Sequence, residues 1–244
     1  MYQFFVEDTQ VCGQEISITG KDQNHICHVL RMNIGEKIRV SSEDGRSFFC
    51  RIERMTDEEV IACIEEEDLL GTELASEITL FQGIPKGDKM ELVVQKAVEL
   101  GVSRVVPVAM KNCVAKIDEK KAQAKVNRWQ AIAESAAKQC KRTKIPKICM
   151  PISWKEALEE AKEHEVVLVP YENERGMQAT RELFSSLQKG QSIAIMIGPE
   201  GGYADTEITA IPEEFHRISV GRRILRTETA GPAVLAMLVY VFDE

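Results

Sequence analysis

The residues best equipped for chemistry lie together between Ile218 and Pro232: Gly221, then Arg222, Arg223 and Arg226, then Glu228, in a polar loop between apolar stretches. Guanidiniums stay charged and fork onto phosphate or carboxylate. Packing alone has no use for three of them in one short loop, although an ion pair with a nearby acid could account for any single one. Glu228 is a carboxylate that could take a proton or orient a cation. Upstream, the apolar run Ile193–Ile197 leads into Gly198-Pro199-Glu200-Gly201-Gly202. Pro199 fixes φ, and the glycines allow positive φ and close backbone approach. Taken alone, that segment is equally a tight turn between a strand and a helix. Ligands of open α/β sheets sit where loops leave the carboxyl ends of neighbouring strands, so two such junctions make a binding site the leading expectation.

Other segments promise less. Gly83-Ile84-Pro85-Lys86-Gly87-Asp88-Lys89 has the position of a phosphate loop but not its spacing, since a P-loop needs four residues between its glycines and then Lys-Ser/Thr. Lys86 remains a candidate phosphate contact, or simply a solvated loop lysine. His25 and His28 could share a helix face, but no third ligand lies nearby to hold a metal. No G-x-S-x-G elbow, H-E-x-x-H or Cys-His cluster appears. Covalent hydrolysis and metal catalysis are unsupported, and no metal is expected.

The elements that must position these loops fall into two groups. Over the first seventy or so residues, strands are expected at 2–6, 37–41, 47–54 and 60–66, with Asp44-Gly45 as a hairpin turn. Asn24 to Met32 reads as one helix with Ile26, Val29 and Leu30 on one face. The acidic run Glu65–Asp68 through Thr72 reads as a linker. After it, compact apolar strands at 78–83, 105–108, 166–170 and 193–197 alternate with amphipathic helices near 90–100, 120–141, 154–163 and 178–187. A final helix, Ala230 to Phe242, is apolar nearly all round and belongs in a core or a subunit interface. Thr229 is its expected N-cap, with Pro232 in its first turn.

Composition narrows the partners. Hydrophobic residues make up 44% and charged residues 29% of 244, as expected of a soluble globular protein. The longest apolar run is far short of a membrane span, which takes about 20 residues. The N-terminus lacks a basic start and apolar core, and seven scattered cysteines without a Cys-x-x-Cys suit reduced thiols. A cytoplasmic protein is expected. The net charge of −8 conceals a division: residues 1–72 hold 7 basic and 15 acidic residues, whereas 111–147 hold 11 basic and 3 acidic. Lys120, Lys121 and Lys125 alone would be a solvated helix face. With Lys138, Lys141, Arg142, Lys144 and Lys147, the segment suits a polyanion's phosphates.

The Gly198–Gly202 and Gly221–Ala230 segments, with Glu99-Leu100-Gly101, Arg142-Thr143-x-x-Pro146 and His28-Val29-Leu30-Arg31 followed by Gly35, closely resemble the RsmE family. These are ribosomal small-subunit RNA uridine N3-methyltransferases of the SPOUT superfamily. The likeness covers essentially the whole chain. One departure is Gln3 before Phe4-Phe5, where family members often carry a basic residue.

The resemblance implies an α/β fold: a trefoil-knotted, parallel-sheet methyltransferase domain over 74–244, preceded by a small β-rich PUA-like barrel domain for RNA over 1–70. It implies S-adenosylmethionine as cofactor, in a cleft at a homodimer interface, and 16S ribosomal RNA or the assembled small subunit as partner. Carried over by position, the cofactor residues are Leu168, Pro170, Glu172, Ile197, Gly198, Pro199, Gly201, Gly202, Val220, Gly221 and Leu225. Leu168, Ile197, Val220 and Leu225 would sandwich the adenine. Arg226 would steady negative charge on the uridine, and Glu228 would act as base or orient Arg226. Arg31, Lys86, Lys138, Arg142, Arg222 and Arg223 would hold RNA. A non-catalytic RNA-binding assembly factor, a methyltransferase for a different RNA nucleotide, and a nucleotide-binding enzyme using Gly83–Lys89 are the competing expectations.

Overall fold

The computed structural model describes residues 1–114 and 118–243. Residues 115–117 of the basic stretch, and the side chain of Lys120, lie outside the described residues. The chain divides into two compact units, one of residues 1–73 with 137–145, the other of 74–136 with 146–244.

The first unit is β-rich. Strands β1 (Tyr2–Val6), β2 (Val11–Cys12) and β3 (Glu15–Thr19) precede helix α1 (Gly20–Asn24), and β4 (Lys37–Ser42), β5 (Ser47–Met55) and β6 (Glu59–Glu67) follow. They form one six-stranded sheet in the order β1-β4-β5-β6-β3-β2, antiparallel except for β1 beside β4. Alternate apolar residues fill its core, among them Phe4, Ile16, Ile18, Ile38 and Ile52. The β2–β3 hairpin escapes the sequence pattern because β2 is only two residues long.

The expected helix over 24–32 is instead a π-helical turn, His25–Leu30, closed by Arg31 at φ 52°. Bonds from i to i+5 widen the turn, so residues three apart no longer share a face. Ile26 is accordingly buried while Val29 is exposed. The expected strand over 60–66 runs one residue further, so that β6 takes in Glu67 and the start of the expected linker; its Glu65 pairs with Lys37 at 2.9 Å and with Arg51.

The second unit is built on a parallel sheet. Its strands are β7 (Ile78–Gly83), β8 (Arg104–Ala109), β9 (Lys147–Ile148), β10 (Ile152–Ser153), β11 (Val166–Pro170), β12 (Ile193–Ile197) and β13 (His216–Ile218). The order is β10-β8-β7-β12-β11-β13, with β9 also paired to β8. Strands β7 and β12 are buried along their whole length, as continuous apolar runs in a doubly covered sheet should be. The helices are α2 (Lys89–Glu99), α3 (Glu119–Cys140), α4 (Trp154–Ala161), α5 (Gln178–Ser186), α6 (Asp205–Thr209) and α7 (Thr227–Phe242). Ser153 and Glu156 close a reciprocal capping box that starts α4.

Helix α7 begins earlier than its sequence signals suggest. Its N-cap is Arg226 rather than Thr229, and the Arg226 carbonyl accepts from the amides of both Thr229 and Ala230. Pro232 therefore lies inside the helix, where it cannot donate to the Glu228 carbonyl one turn back. No described helix is long and apolar enough to cross a membrane.

Candidate functional site

Strands β12, β11 and β13 are neighbours in the sheet, so the loops that leave their carboxyl ends converge. They enclose a cavity of about 420 Å³. Pro170, Tyr171 and Glu172 come from β11, the Gly198 turn from β12, and Val220 to Thr227 from β13; Lys89 and Ala230 add to the wall.

Each loop is anchored from behind. Gly202 donates to the Pro199 carbonyl at 2.9 Å and takes φ 67°, a conformation that favours glycine. Asn112 Nδ2 donates to the carbonyls of Gly201 and Gly202 at 3.1 and 3.2 Å. The Gly198 carbonyl accepts from the Thr227 hydroxyl at 2.7 Å, and that hydroxyl accepts from buried Gln82 Nε2 at 2.9 Å. Buried Thr180 of α5 pins the β13 loop by exchanging 3.1 Å bonds with Ser219 N–H and C=O. Tyr203 rests edge-on against Tyr171 and donates its hydroxyl to the Met196 carbonyl at 2.6 Å. Burial pushes the Tyr203 phenol far above the usual range, so it stays a neutral donor.

Most of the expected cofactor residues meet here. Pro170, Glu172, Ile197, Gly198, Pro199, Gly202, Val220, Gly221 and Leu225 line the cavity. Two expected residues do not. Leu168 is 0% exposed in the middle of β11, paired with Ile195 and His216, so of the four apolar residues expected around an adenine only Ile197, Val220 and Leu225 line the cavity. Gly201 faces Asn112, and a Cβ there would lie 3.0 Å from the Asn112 Cβ; it shapes the turn from behind.

The arginines separate into two kinds. Arg222, Arg223 and Arg226 line the cavity, are exposed, and make no ion pair among the described residues. Structural pairing is therefore not what they are for. Arg142 is 5% exposed and ion-paired to Glu73, whose carboxylate also accepts the Thr143 amide at 2.9 Å. A guanidinium so enclosed braces the first unit and cannot face RNA, which corrects its expected role. Burial opposes ionisation of Glu73, but Arg142 and the amides of Lys144 and Thr143 together hold its carboxyl below the usual range. Lys138 is likewise bound, to Asp22 at 2.9 Å. Gln3 is buried and donates to the Arg142 carbonyl, so that position too is internal. Arg31 and Lys86 are exposed, and the Lys86 amide donates to Glu200 at 3.0 and 3.2 Å.

Glu228 does not line the cavity, but Lys89 does, and Lys89 touches it. Lys89 Nζ lies 3.0 Å from Glu200 Oε1 and 3.3 Å from Glu228 Oε2. The second contact is an ion pair, and Oε2 is buried with no hydrogen-bond partner among the described residues. Lys89, Tyr203, Thr227 and Ala230 are wall residues that sequence reasoning missed. The only signal for Lys89 was its place at the end of the failed phosphate loop. Among the described residues, no group of three or more His, Cys, Asp or Glu could hold a metal.

Comparison with known proteins agrees in both units. The sequence pattern of an RNA methyltransferase domain matches residues 72–239, and that of an RNA methyltransferase PUA domain matches 18–65. The chain is 35% identical to the ribosomal RNA small subunit methyltransferase E of Bacillus subtilis strain 168, over 98% of this chain and 96% of that protein. The solved structure of a ribosomal RNA small subunit methyltransferase E from Neisseria gonorrhoeae bound to S-adenosyl methionine superposes with a TM-score of 0.85. It is 30% identical and covers 99% of this chain and 98% of its own. A Legionella pneumophila methyltransferase in complex with bound SAM gives 0.83 at 31% identity, covering 98% and 97%.

Proposed function

The chain belongs to the ribosomal RNA small subunit methyltransferase E family, and from that premise we propose how its own residues methylate N3 of a uridine in 16S ribosomal RNA. It is an RNA methyltransferase that uses S-adenosylmethionine. The observation that carries the proposal is the cavity itself, apolar at Ile197, Val220 and Leu225, polar along the glycine turn, and rimmed by three arginines that make no ion pair among the described residues. Its volume of about 420 Å³ falls within the usual range for small-molecule sites. Those apolar side chains suit an adenine face, and the backbone of the Gly198 turn suits its polar edge. When bound, the cofactor supplies an electrophilic methyl group on a sulfonium.

N3–H is a Watson–Crick donor, so the uridine must be unpaired or flipped out to enter. A neutral N3 is a poor nucleophile, and cationic groups that favour loss of its proton speed the reaction. Arg226 supplies positive charge at the uracil oxygens. Glu228 acts as base or orients a cation. Arg222 and Arg223 hold RNA phosphates at the rim, Lys86 is a further phosphate contact, and Arg31 holds RNA on the first unit. The working molecule is a cytoplasmic homodimer, knotted like the rest of its family and joined through the methyltransferase domain (74–244), with the PUA-like domain (1–70) assisting on the small subunit. The apolar α7 supports the dimer, since a two-fold interface must bury self-complementary surface.

The test supplies methyl-labelled S-adenosylmethionine and small subunits from a strain lacking the modification, then digests the RNA and separates its nucleosides. Label in 3-methyluridine is expected. Label in another nucleoside would discard the uridine assignment, and bound cofactor without transfer would favour the non-catalytic assembly factor.

A further inference from the structure

Lys89 combines an unfavourable helix end with two carboxylate partners. It is the first residue of α2, where the helix dipole disfavours a cation. It is 33% exposed on the cavity wall, and two carboxylates converge on it, one from the loop after β12 and one from the first turn of α7. Glu200 is itself clamped by the Lys86 amide. The hydrogen bond to Glu200 raises the Lys89 ammonium above the ordinary lysine range, with Glu228 adding to it and burial opposing. Burial opposes ionisation of Glu200 in turn, but its own amide, Lys89 and the Lys86 amide hold its carboxyl low. The lysine is thus a fixed cation and not a proton acceptor at neutral pH.

We propose that Lys89 is a catalytic residue whose ammonium, held between Glu200 and Glu228, stabilises the negative charge that spreads over N3, O2 and O4 of the target uridine as its N3 proton leaves. The inference rests on the uridine N3 reading above and changes the part played by Glu228. In this step the N3–H bond breaks, its proton passes to water, and its electron pair stays on the uracil ring for the incoming methyl group. Glu228 does not reach the cavity and acts through Lys89, as a positioning residue. Arg226 is exposed and must be ordered when substrate arrives, whereas Lys89 is already in place, and preorganised charge is what lowers a barrier. The other charged groups on the wall are Glu172 and the three arginines, and the guanidiniums keep their charge at every pH considered.

The test compares wild type, Lys89→Met, Lys89→Arg and Glu228→Gln on small subunits lacking the modification, with cofactor affinity measured separately by calorimetry. Lys89→Met should lower kcat by about 10²-fold or more at pH 7 while cofactor affinity changes less than about twofold. Lys89→Arg should recover much of the loss, and Glu228→Gln should lose less than Lys89→Met with cofactor affinity likewise kept.

Two further readouts separate charge stabilisation from structure. The Lys89→Met defect should shrink as pH rises from about 7 to 9.5, because hydroxide then removes the N3 proton unaided. It should also shrink on subunits reconstituted with 5-fluorouridine RNA, whose N3–H is more acidic. A defect of equal size across that pH range and on both RNAs would overturn the proposal, as would an unchanged kcat or a lost cofactor affinity. If wild type itself makes no 3-methyluridine, the reading of the reaction fails instead.

Discussion

Gly83 does not line the cavity, yet its substitution should be felt there. A Cβ on Gly83 would lie 2.7 Å from Pro199 N, 2.8 Å from Pro199 Cδ and 2.9 Å from Gly198 C. The nearest of these falls about 0.7 Å short of the 3.4 Å at which ordinary contact begins. No flexible side chain can swing aside, because the atoms are backbone and a proline ring. The backbone at Gly83 is not left-handed, so Gly83→Ala introduces a clash without conformational strain. Overpacking of this kind costs about 1–3 kcal/mol. The strand is held on both sides in the sheet, so the turn is what moves, and Gly198, Pro199 and Gly202 line the cavity. Taken up in the turn, the cost should weaken S-adenosylmethionine binding roughly 5- to 150-fold, read by calorimetry.

The paired control is Gly231→Ala in α7, whose new Cβ would make ordinary contacts of 3.5 Å with Leu80 and 3.6 Å with Gln82. That change should leave cofactor affinity alone and stabilise the protein by up to about 1 kcal/mol, through helix propensity. Wild-type affinity in Gly83→Ala would refute the contact on which this reasoning depends.

Thr227→Val removes the donor to the Gly198 carbonyl and one of the two acceptors of the buried Gln82 amide, which keeps its bond to the Gly83 carbonyl. Thermal melting should register a loss of about 1–3 kcal/mol, cofactor affinity should fall as well, and Thr227→Ser should restore both. Glu73→Gln leaves the Arg142 charge buried without its counterion, and chemical denaturation at pH 7 should show a loss of about 3–5 kcal/mol. The Glu73 carboxyl is held low when folded, so its contribution is complete above the unfolded value of about 4.3 and is lost as pH falls through the folded one. The stability gap between wild type and Glu73→Gln should therefore stay constant from pH 7 to about 5 and close at lower pH; a gap that persists in acid would contradict the assignment. Replacing Arg222 and Arg223 by Ala should weaken subunit binding and flatten its dependence on salt, with calorimetry showing unchanged affinity for the cofactor.

The parts of the fold that depend on local pattern are readable from the chain. Strands β7 and β12 declare themselves as unbroken apolar runs, and α2 appears as an apolar stripe ending at Gly101. The features that misled are those in which a local signal competes with tertiary context. At the start of α7, Thr229 and Pro232 spell a helix N-terminus, but the Thr227 hydroxyl is tied to the Gly198 carbonyl and the first turn forms three residues earlier. At 24–32 the apolar spacing fits an α-helix, and the wider winding that replaces it has no sequence signature. Arg142 and Lys138 count as free charge in a sum over residues, and only the fold shows each beside its own acid.

The candidate site divides along the same line. Two of its three loops could be found because glycines and arginines at strand ends carry their meaning locally, whereas the loop after β11 was expected only from the family resemblance. Its supports could not, since they rest on strand order: β7 lies beside β12 although more than a hundred residues separate them in the chain. That adjacency brings Gly83 against Pro199, sets Gln82 145 residues from Thr227 in sequence yet 2.9 Å away in space, and lets Lys89 meet both Glu200 and Glu228. Read by itself, Gly83–Lys89 is a phosphate loop that fails its spacing rule. Set against β12 and the start of α7, the same seven residues are a seat for the Gly198–Gly202 turn at one end and a half-buried cation on the cavity wall at the other. A backbone seat requires glycine, and a cation facing two carboxylates at a helix N-terminus requires lysine or arginine. The chain alone showed only a loop that fails its spacing rule, and what it withheld was the partner against which each end is aimed.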